Sequence, residues 1–162
     1  MSSILNLIKS IQEITNVAPC KKTVQKMIYL IQEANEDYGF DYSIHYYGPY
    51  SAELDSEIRY LCTCGELNMD ISSHGHMLSV STSFTNQPLN QVTQNTITSF
   101  AMKSPSELEL LATTLYVQRE IHKTDIDNIV NSVTKIKGTK YSEAQIKEAI
   151  FELVKNGYFM VA

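Results

Sequence analysis

Two cysteines and two histidines are the residues of this sequence best suited to hold a metal ion. Cys62 and Cys64 precede His74 and His76 in the chain, and zinc accepts both thiolate and imidazole ligands. The spacing is unfavourable, because cysteines two apart on a helix point to different sides and paired ligands are usually separated by at least two residues. The sequence therefore predicts no metal site.

Motifs typical of catalysis are missing from the sequence. It contains no glycine-rich phosphate loop, no nucleophile elbow and no His-Glu-x-x-His helix. Cys20, beside Lys21 and Lys22, could be an activated thiol, but a single cysteine is more often a small buried apolar residue. We therefore expect a protein that is not an enzyme, with no catalytic residue and no cofactor.

Acidic residues and tyrosines dominate the middle of the chain. Seven acidic residues and one basic residue, Arg59, lie from residue 36 to residue 66. Tyrosine is enriched in interfaces because its ring buries a large area and keeps a polar group. We therefore expect a protein partner here, such as a toxin or another basic protein, although the tyrosines could instead only rigidify a Gly-Pro turn. The candidate contact residues are Tyr47, Gly48, Pro49, Tyr50, Glu53, Asp55 and Glu57.

Lysines of the second half form an alternative site, for nucleic acid. Helix-turn-helix proteins gain most of their affinity for DNA from Lys and Arg at phosphates, whereas acidic residues would make the middle of this chain repel a phosphate backbone. Interspersed Glu143, Glu148 and Glu152 favour a solvated face of mixed charge over a DNA contact, so a DNA-binding regulator is the second hypothesis. Its candidate contact residues are Lys135, Lys137, Lys140 and Lys147.

Three further lysines lie near the start of an early helix. Lys21, Lys22 and Lys26 follow Pro19, at the helix end where the dipole disfavours positive charge. They could contact a small anion or nucleic acid. The alternative, which we favour, is a solvated polar face.

The elements of the first half follow from periodicity and from helix-breaking residues. Apolar residues at three- and four-residue steps predict helices over residues 4–14, from residue 22 to just before Gly39, and from residue 52 to Gly65, the last capped by Ser51. Alternation predicts a strand over residues 40–47, with Tyr46 inside and Tyr47 outside. A hairpin joins residues 67–71 to 77–80. This order resembles a winged helix.

Two segments of this half form a recognisable motif. They are the helix Val24-Gln25-Lys26-Met27-Ile28-Tyr29-Leu30-Ile31 and the turn Tyr46-Tyr47-Gly48-Pro49-Tyr50-Ser51, followed by Leu54. The combination resembles the Panacea-domain (SocA-like) proteins and the related YwgA-like proteins, over about residues 20–67. The resemblance implies an antitoxin-type module that neutralises a protein partner. Tyr50-Ser51 stands where many Panacea members have two apolar residues, which is closer to the YwgA-like pattern.

The second half is predicted to be a helix-turn-helix unit. Helices should begin after Ser104, which opens a capping-box pattern, near Asp125 and after Ser142, and a short strand should follow over residues 158–161. Ile58, Leu61, Gly65 and Leu67 have the same spacing as Ile150, Leu153, Gly157 and Phe159, which favours two related units. We expect an α+β fold, mostly α-helical and winged-helix-like, with units 1–82 and 104–162 joined by segment 83–103. A single fused domain is the alternative.

Length and composition limit the remaining possibilities. The chain has 162 residues and a net charge of −5, which predicts a globular protein with no bulk preference for polyanions. It has neither a signal-peptide pattern nor an apolar run of membrane-spanning length, and its three cysteines suit a reducing compartment. We expect a cytoplasmic protein without a membrane contact. The apolar face of the first helix could close a homodimer, although packing onto its own core is the simpler use.

Overall fold

The fold is α+β and mostly α-helical. A computed structural model describes residues 3–35 and 37–162, and Glu36, part of the predicted acidic stretch, lies outside them. Within the described residues there are seven helices and four strands. They are α1 (Ser3–Thr15), α2 (Lys21–Glu33), β1 (Ser43–His45), β2 (Gly48–Tyr50), α3 (Ala52–Thr63), β3 (Leu67–Ser72), β4 (Gly75–Val80), α4 (Gln91–Phe100), α5 (Pro105–Ile121), α6 (Ile126–Lys137) and α7 (Glu143–Lys155).

Two helices that are buried on most sides form the centre of the molecule. α2 and α5 pack against each other, β2 packs on both, and α6 and α7 pack on α5. α5 is buried almost all round, as expected of a helix without a solvated face. The buried apolar residues of both halves form one continuous cluster. The division into units 1–82, 83–103 and 104–162, like the winged-helix topology, stays a prediction.

The apolar stripe of the first helix packs onto the core of the same chain. Ile4, Leu7, Ile8 and Ile11 are buried in the core, and α1 packs against β4. Ile14, at the end of the stripe, is exposed. Of the two expected roles of this helix, a homodimer contact and packing onto its own core, the structure shows the second.

Most predicted helix boundaries are confirmed by their caps. The Ser51 hydroxyl accepts a hydrogen bond from the Leu54 amide at the start of α3. Gly65, with φ +78°, ends that helix in the left-handed conformation that glycine adopts without strain. Capping boxes open α5 at Ser104 and α7 at Ser142. The sequence signals at these ends are local, and the structure follows them.

Three predicted elements differ from the structure. α2 ends at Glu33 instead of near Gly39, because Asn35 turns the chain with φ +77° and the Gln32 side chain makes two hydrogen bonds to the Phe40 backbone. The strand over residues 40–47 shrinks to β1, and Tyr46, predicted inside, is 84% exposed at the turn to β2. β1 is exposed at all three residues, including Ile44, also predicted inside, so the alternation does not extend beyond Tyr42.

The third difference is at the C-terminus. Residues 158–161, predicted as a strand, form no strand in the described chain. Tyr158 is instead buried, and its hydroxyl donates to the Leu30 carbonyl at 2.9 Å while Arg119 donates to its backbone carbonyl. Hydrogen bonds to α2 and α5 hold Tyr158 in place, so the segment packs on helices and does not pair with a strand.

The capping box of α5 allows a test of this local stabilisation. The Ser104 hydroxyl accepts from the Glu107 amide, and the Glu107 carboxylate accepts from the Ser104 amide, both at 3.1 Å. We expect Ser104→Ala to lower the free energy of unfolding by about 1 kcal/mol, measured by urea denaturation. Ser56→Ala, at an exposed position within α3, is the matched control and should be neutral or slightly stabilising. Equal losses in the two variants would contradict the capping role.

Candidate functional site

The Tyr-Gly-Pro turn of the sequence motif is held in place by α2. The Gln25 side chain donates to the Ser51 carbonyl and accepts from the Ser51 amide, both at 2.9 Å. The Lys26 ammonium donates to the Pro49 carbonyl at 2.6 Å. Gln25 and Lys26 are adjacent in the helix half of the motif, and Pro49 and Ser51 belong to its turn half. The two halves of the motif are therefore one interlocked structure.

Gly48 brings the turn against α5. Its φ is +91°, and a Cβ atom at this position would lie 2.6 Å from the Thr113 hydroxyl oxygen. Such a distance is well inside van der Waals contact, so a larger residue would push β2 away from α5. The adjacent Pro49 is buried as well. Both residues act as supports of the turn and have little surface for a partner.

Two tyrosines project from the tip of this turn. Tyr46 and Tyr47 are 84% and 56% exposed, and their rings contact each other edge to face at 4.8 Å between centroids. Lys137 donates to the Tyr46 carbonyl at 2.9 Å, which fixes the backbone of the tip. Tyr50 is half-buried, and its ring packs on His45. The exposed aromatic pair, which we call the tyrosine tip (Tyr46 and Tyr47), is thus presented on a rigid base.

Beneath the tyrosine tip lies a fully buried carboxylate. Glu109 of α5 is 0% exposed. Its Oε1 lies 2.6 Å from the Lys22 ammonium, and its Oε2 lies 2.9 Å from Lys137 and 2.7 Å from Lys140. The Tyr141 hydroxyl is 3.0 Å from Oε2. These residues form what we call the Glu109 cluster: Glu109, Lys22, Lys137, Lys140 and Tyr141.

Burial and charge compete in setting the protonation of this cluster. Burial alone would raise the pKa of the Glu109 carboxyl, but hydrogen bonds from Lys140, Lys22 and Lys137 outweigh it and lower that pKa to about 2. Burial raises the pKa of the Tyr141 hydroxyl. Glu109 is therefore an anion at neutral pH, and it neutralises only part of the positive charge around it.

Tyr47 joins the tyrosine tip to the Glu109 cluster. The Lys22 and Lys140 ammonium groups lie 4.8 Å and 5.4 Å from the centroid of its ring, within the range of a cation–π interaction. The residues predicted for a protein partner and those predicted for nucleic acid thus meet at one place. Sequence reasoning assigns them to separate surfaces.

The acidic candidates divide into exposed and buried residues. Glu53 is exposed and Glu57 half-exposed, and with Tyr60, 62% exposed, they follow helical spacing on one outer face of α3. Asp55, predicted on the contact surface, is 3% exposed and forms ion pairs with Lys21 and with Arg59. Asp55 lies on the same inward side of α3 as the buried Leu54 and Ile58, which the acidic composition of this stretch does not indicate.

The basic candidates are also fewer on the surface than the sequence indicates. The Lys137 side chain is 4% exposed in the Glu109 cluster, and Lys140 is drawn to the same carboxylate. Lys147 forms an ion pair with Glu143 at 2.9 Å on α7. Lys135 is exposed. Lys137 therefore cannot reach a phosphate backbone without breaking a buried ion pair.

The cysteines and histidines do not converge. Within residues 3–35 and 37–162, no group of three or more His, Cys, Asp or Glu side chains is arranged to hold a metal ion. Cys20 is buried, with its sulfur 3.4 Å from the Thr23 hydroxyl. His74 lies in the β3–β4 turn, away from the exposed Cys64 at the end of α3.

One residue of the candidate site is not apparent from the sequence. Glu109 is the one charged residue in the fully buried stretch Leu108 to Leu115 of α5. A charge within a helix that has no solvated face needs a buried partner. A charged residue in a buried helix therefore predicts a buried ion pair, although the sequence does not indicate which residues are its partners.

One stretch of the chain has a known relative. A segment of 48 residues is 42% identical to "Uncharacterized protein YwgA" of Bacillus subtilis (strain 168), and it spans 30% of this chain and 29% of YwgA. No family model matches the chain. In the described part of the chain, no helix is long and apolar enough to cross a bilayer. The chain is therefore similar to YwgA over less than a third of either protein.

Proposed function

We propose that this protein is a non-enzymatic regulatory module that binds a protein partner through the tyrosine tip and the outer face of α3. The tyrosine tip is the observation that supports this proposal most directly. Two adjacent tyrosines are more than half exposed on a backbone fixed by hydrogen bonds from α2 and α6. Exposed aromatic residues on a rigid base lose little entropy on binding and are typical energetic centres of interfaces.

The charges around the tip indicate what kind of partner fits. Glu53 and Glu57 give the outer face of α3 a negative charge next to the turn, whereas Lys22 and Lys140 give the tip itself a positive side. A partner with a basic patch towards α3 and aromatic or carboxylate groups towards Tyr47 would be complementary to both. The contact surface we propose is therefore Tyr46, Tyr47, Tyr50, Glu53 and Glu57.

A Panacea-type role is the finer form of this proposal. The motif that resembles those domains is the interlocked structure of α2 and the turn, and it displays the tyrosine tip. Neutralising a protein partner would require direct binding, for which exposed aromatic residues on a rigid base are suitable. Similarity to YwgA supports a YwgA-like relationship over 48 residues, and the antitoxin role is our proposal.

DNA-binding regulation is supported less well. Lys137 and Lys140 are drawn to Glu109 and Lys147 to Glu143, so Lys135 is the one of the four candidate lysines without an ion pair in the described structure. Non-specific affinity for DNA depends on several such contacts at once. This arrangement favours a protein partner over DNA.

Affinity capture from the source organism tests the proposal. Tagged protein should recover a stoichiometric partner that survives nuclease treatment, and Tyr46→Ala should reduce the recovery by about ten-fold or more, because truncating a central aromatic contact commonly costs about 2 kcal/mol. Charge reversal at Glu53 and Glu57 should reduce it as well, most strongly at low salt.

Matched substitutions distinguish this surface from the rest of the molecule. Phe151→Ala removes another exposed aromatic residue, on α7, and Glu148→Lys reverses an exposed charge there. Both variants should retain the partner. Unchanged recovery with Tyr46→Ala and with reversed Glu53 and Glu57 would refute the proposed surface. Recovery of DNA alone, lost steeply as salt rises, would support the alternative.

A further inference from the structure

A cavity of about 470 Å³ opens between α2, the tyrosine tip and the β3–β4 turn. Lys21, Lys22 and Lys26 line it from α2, Tyr47 and Tyr50 from the turn, and His74 from the hairpin. Its volume lies within the usual range of small-molecule sites, roughly 300–1,000 Å³. The lining combines flat aromatic surfaces with cationic groups.

The electrostatics of the cavity oppose those of the whole protein. Three of its lining residues are lysines and none is an acid, in a chain whose net charge is −5. Clustering of like charges is unfavourable unless something neutralises it. Of the three lysines, Lys21 pairs with Asp55 and Lys22 with Glu109, and Glu109 is shared with Lys137 and Lys140, so the carboxylates neutralise only part of the positive charge here.

Lys26 gives an independent indication of a ligand. It is 2% exposed and lines the cavity, and an ammonium group has three hydrogens to donate. Among the described residues, the Pro49 carbonyl is its one hydrogen-bond acceptor. Burial lowers the pKa of Lys26 to about 8, against the opposing effect of Glu109. Two hydrogens of this buried cation thus have no acceptor among the described protein groups, and they are available to acceptor oxygens of a molecule in the cavity.

The first turn of α2 adds to the attraction. Cys20, the N-cap residue, makes no side-chain capping hydrogen bond, so the first amides of this 13-residue helix have no partner of that kind. Cys20, Lys21 and Lys22 all border the cavity. Helix N-termini of this sort favour phosphate through their amides and dipole.

We propose that this cavity binds a small phosphorylated molecule with a flat ring, of the mononucleotide class, with its phosphate at Lys21, Lys22 and Lys26. A phosphate supplies about two negative charges and three acceptor oxygens, which matches both the charge excess and the free donors. Tyr47 and Tyr50 provide faces on which a base can stack. This proposal does not require the protein partner proposed above, although Tyr47 and Tyr50 belong to both surfaces.

Titration calorimetry with the full chain tests this assignment, using AMP, ribose 5-phosphate and adenosine as probes. AMP should bind more tightly than either other probe by about ten-fold or more, because each of them lacks one of the two recognised groups. Lys22→Gln should weaken AMP binding by a similar factor. The variant should still fold, because Lys137 and Lys140 remain paired with Glu109. Lys123→Gln, at an exposed position outside the cavity, should leave binding unchanged.

Proton uptake on AMP binding distinguishes a ligand contact at Lys26 from a purely structural role of this lysine. Lys26 is about half protonated near pH 8 because its pKa is about 8. A bound phosphate raises that pKa, so binding at pH 8 should take up about half a proton, measured by calorimetry in two buffers of different ionisation enthalpy. Lys26→Met should abolish the uptake. If this variant does not fold, Lys22→Gln and the pH dependence of wild-type binding still decide the question.

Three outcomes would overturn the proposal. Absence of AMP binding at millimolar concentration would refute the site altogether. Equal affinity for ribose 5-phosphate and AMP would refute the stacking of a base on the tyrosines. Tighter binding of a single-stranded oligonucleotide than of AMP would replace the small molecule with nucleic acid.

Discussion

Replacing Glu109 by Gln should destabilise the protein by about 3–5 kcal/mol, the range observed when one partner of a buried ion pair is removed. The change keeps the shape of the side chain and removes the charge that faces Lys22, Lys137 and Lys140. Three ammonium groups would then repel one another under the tyrosine tip. Urea denaturation at neutral pH measures the loss. Glu120→Gln, at an exposed position of the same helix, should change stability by less than about 0.5 kcal/mol.

The dependence on pH identifies the charge as the cause. The pKa of Glu109 is about 2 in the folded protein, against an ordinary value of 4.5, so the unfolded chain takes up the proton more readily. The stability that this carboxylate provides is fully present above about pH 4.5 and is lost as the pH falls towards 2. The difference between wild type and Glu109→Gln should therefore shrink over that range. A difference that stays constant down to pH 2 would contradict the ionised state of Glu109.

Gly48→Ala should be the second most damaging substitution, with an expected loss of about 2–4 kcal/mol. Two costs add up, because the backbone has φ +91° and the new methyl group would lie 2.6 Å from the Thr113 hydroxyl. Gly39→Ala separates them, since Gly39 has φ +79° but no atom within 4 Å of the place where an alanine methyl group would lie. It should lose only the backbone part, about 1–2 kcal/mol. Denaturant unfolding of both variants provides the comparison.

Substitutions at Thr113 complete this test. In a Thr113→Ala background, the methyl group of Gly48→Ala has more room, and part of the loss should be recovered in a double-mutant cycle. Thr113→Val keeps a methyl group in place of the hydroxyl, so it should recover nothing. Equal behaviour of the two backgrounds would show that the close approach of β2 to α5 is not the cause.

The sequence predicts those parts of the fold that depend on neighbouring residues. Helix starts at Ser51, Ser104 and Ser142 are confirmed because a cap needs only a hydroxyl and the amides that follow it. The hairpin of β3 and β4 is confirmed for the same reason, since alternation and a short turn specify it. The predicted strand over residues 158–161 depended on a distant partner, and the structure provides helices there instead.

The candidate site was only half accessible to sequence reasoning. The turn around Gly48 and Pro49 is visible because glycine and proline restrict the chain locally. The Glu109 cluster joins residues from α2, α5 and α6 that lie far apart in sequence, and no periodicity of a single helix indicates such a meeting. Asp55 shows the same limit, because its ion pair with Lys21 crosses from α3 to α2.

Tyr47 lines the cavity and is also 56% exposed as part of the tyrosine tip. A molecule in the cavity and a protein on the tip would therefore share a side chain, and each would alter the free energy with which the other binds. Thermodynamic linkage requires this effect to be reciprocal, so that a given factor in ligand affinity appears as the same factor in partner affinity. The position of one ring would thus let the concentration of a small anion set how much of the protein is complexed.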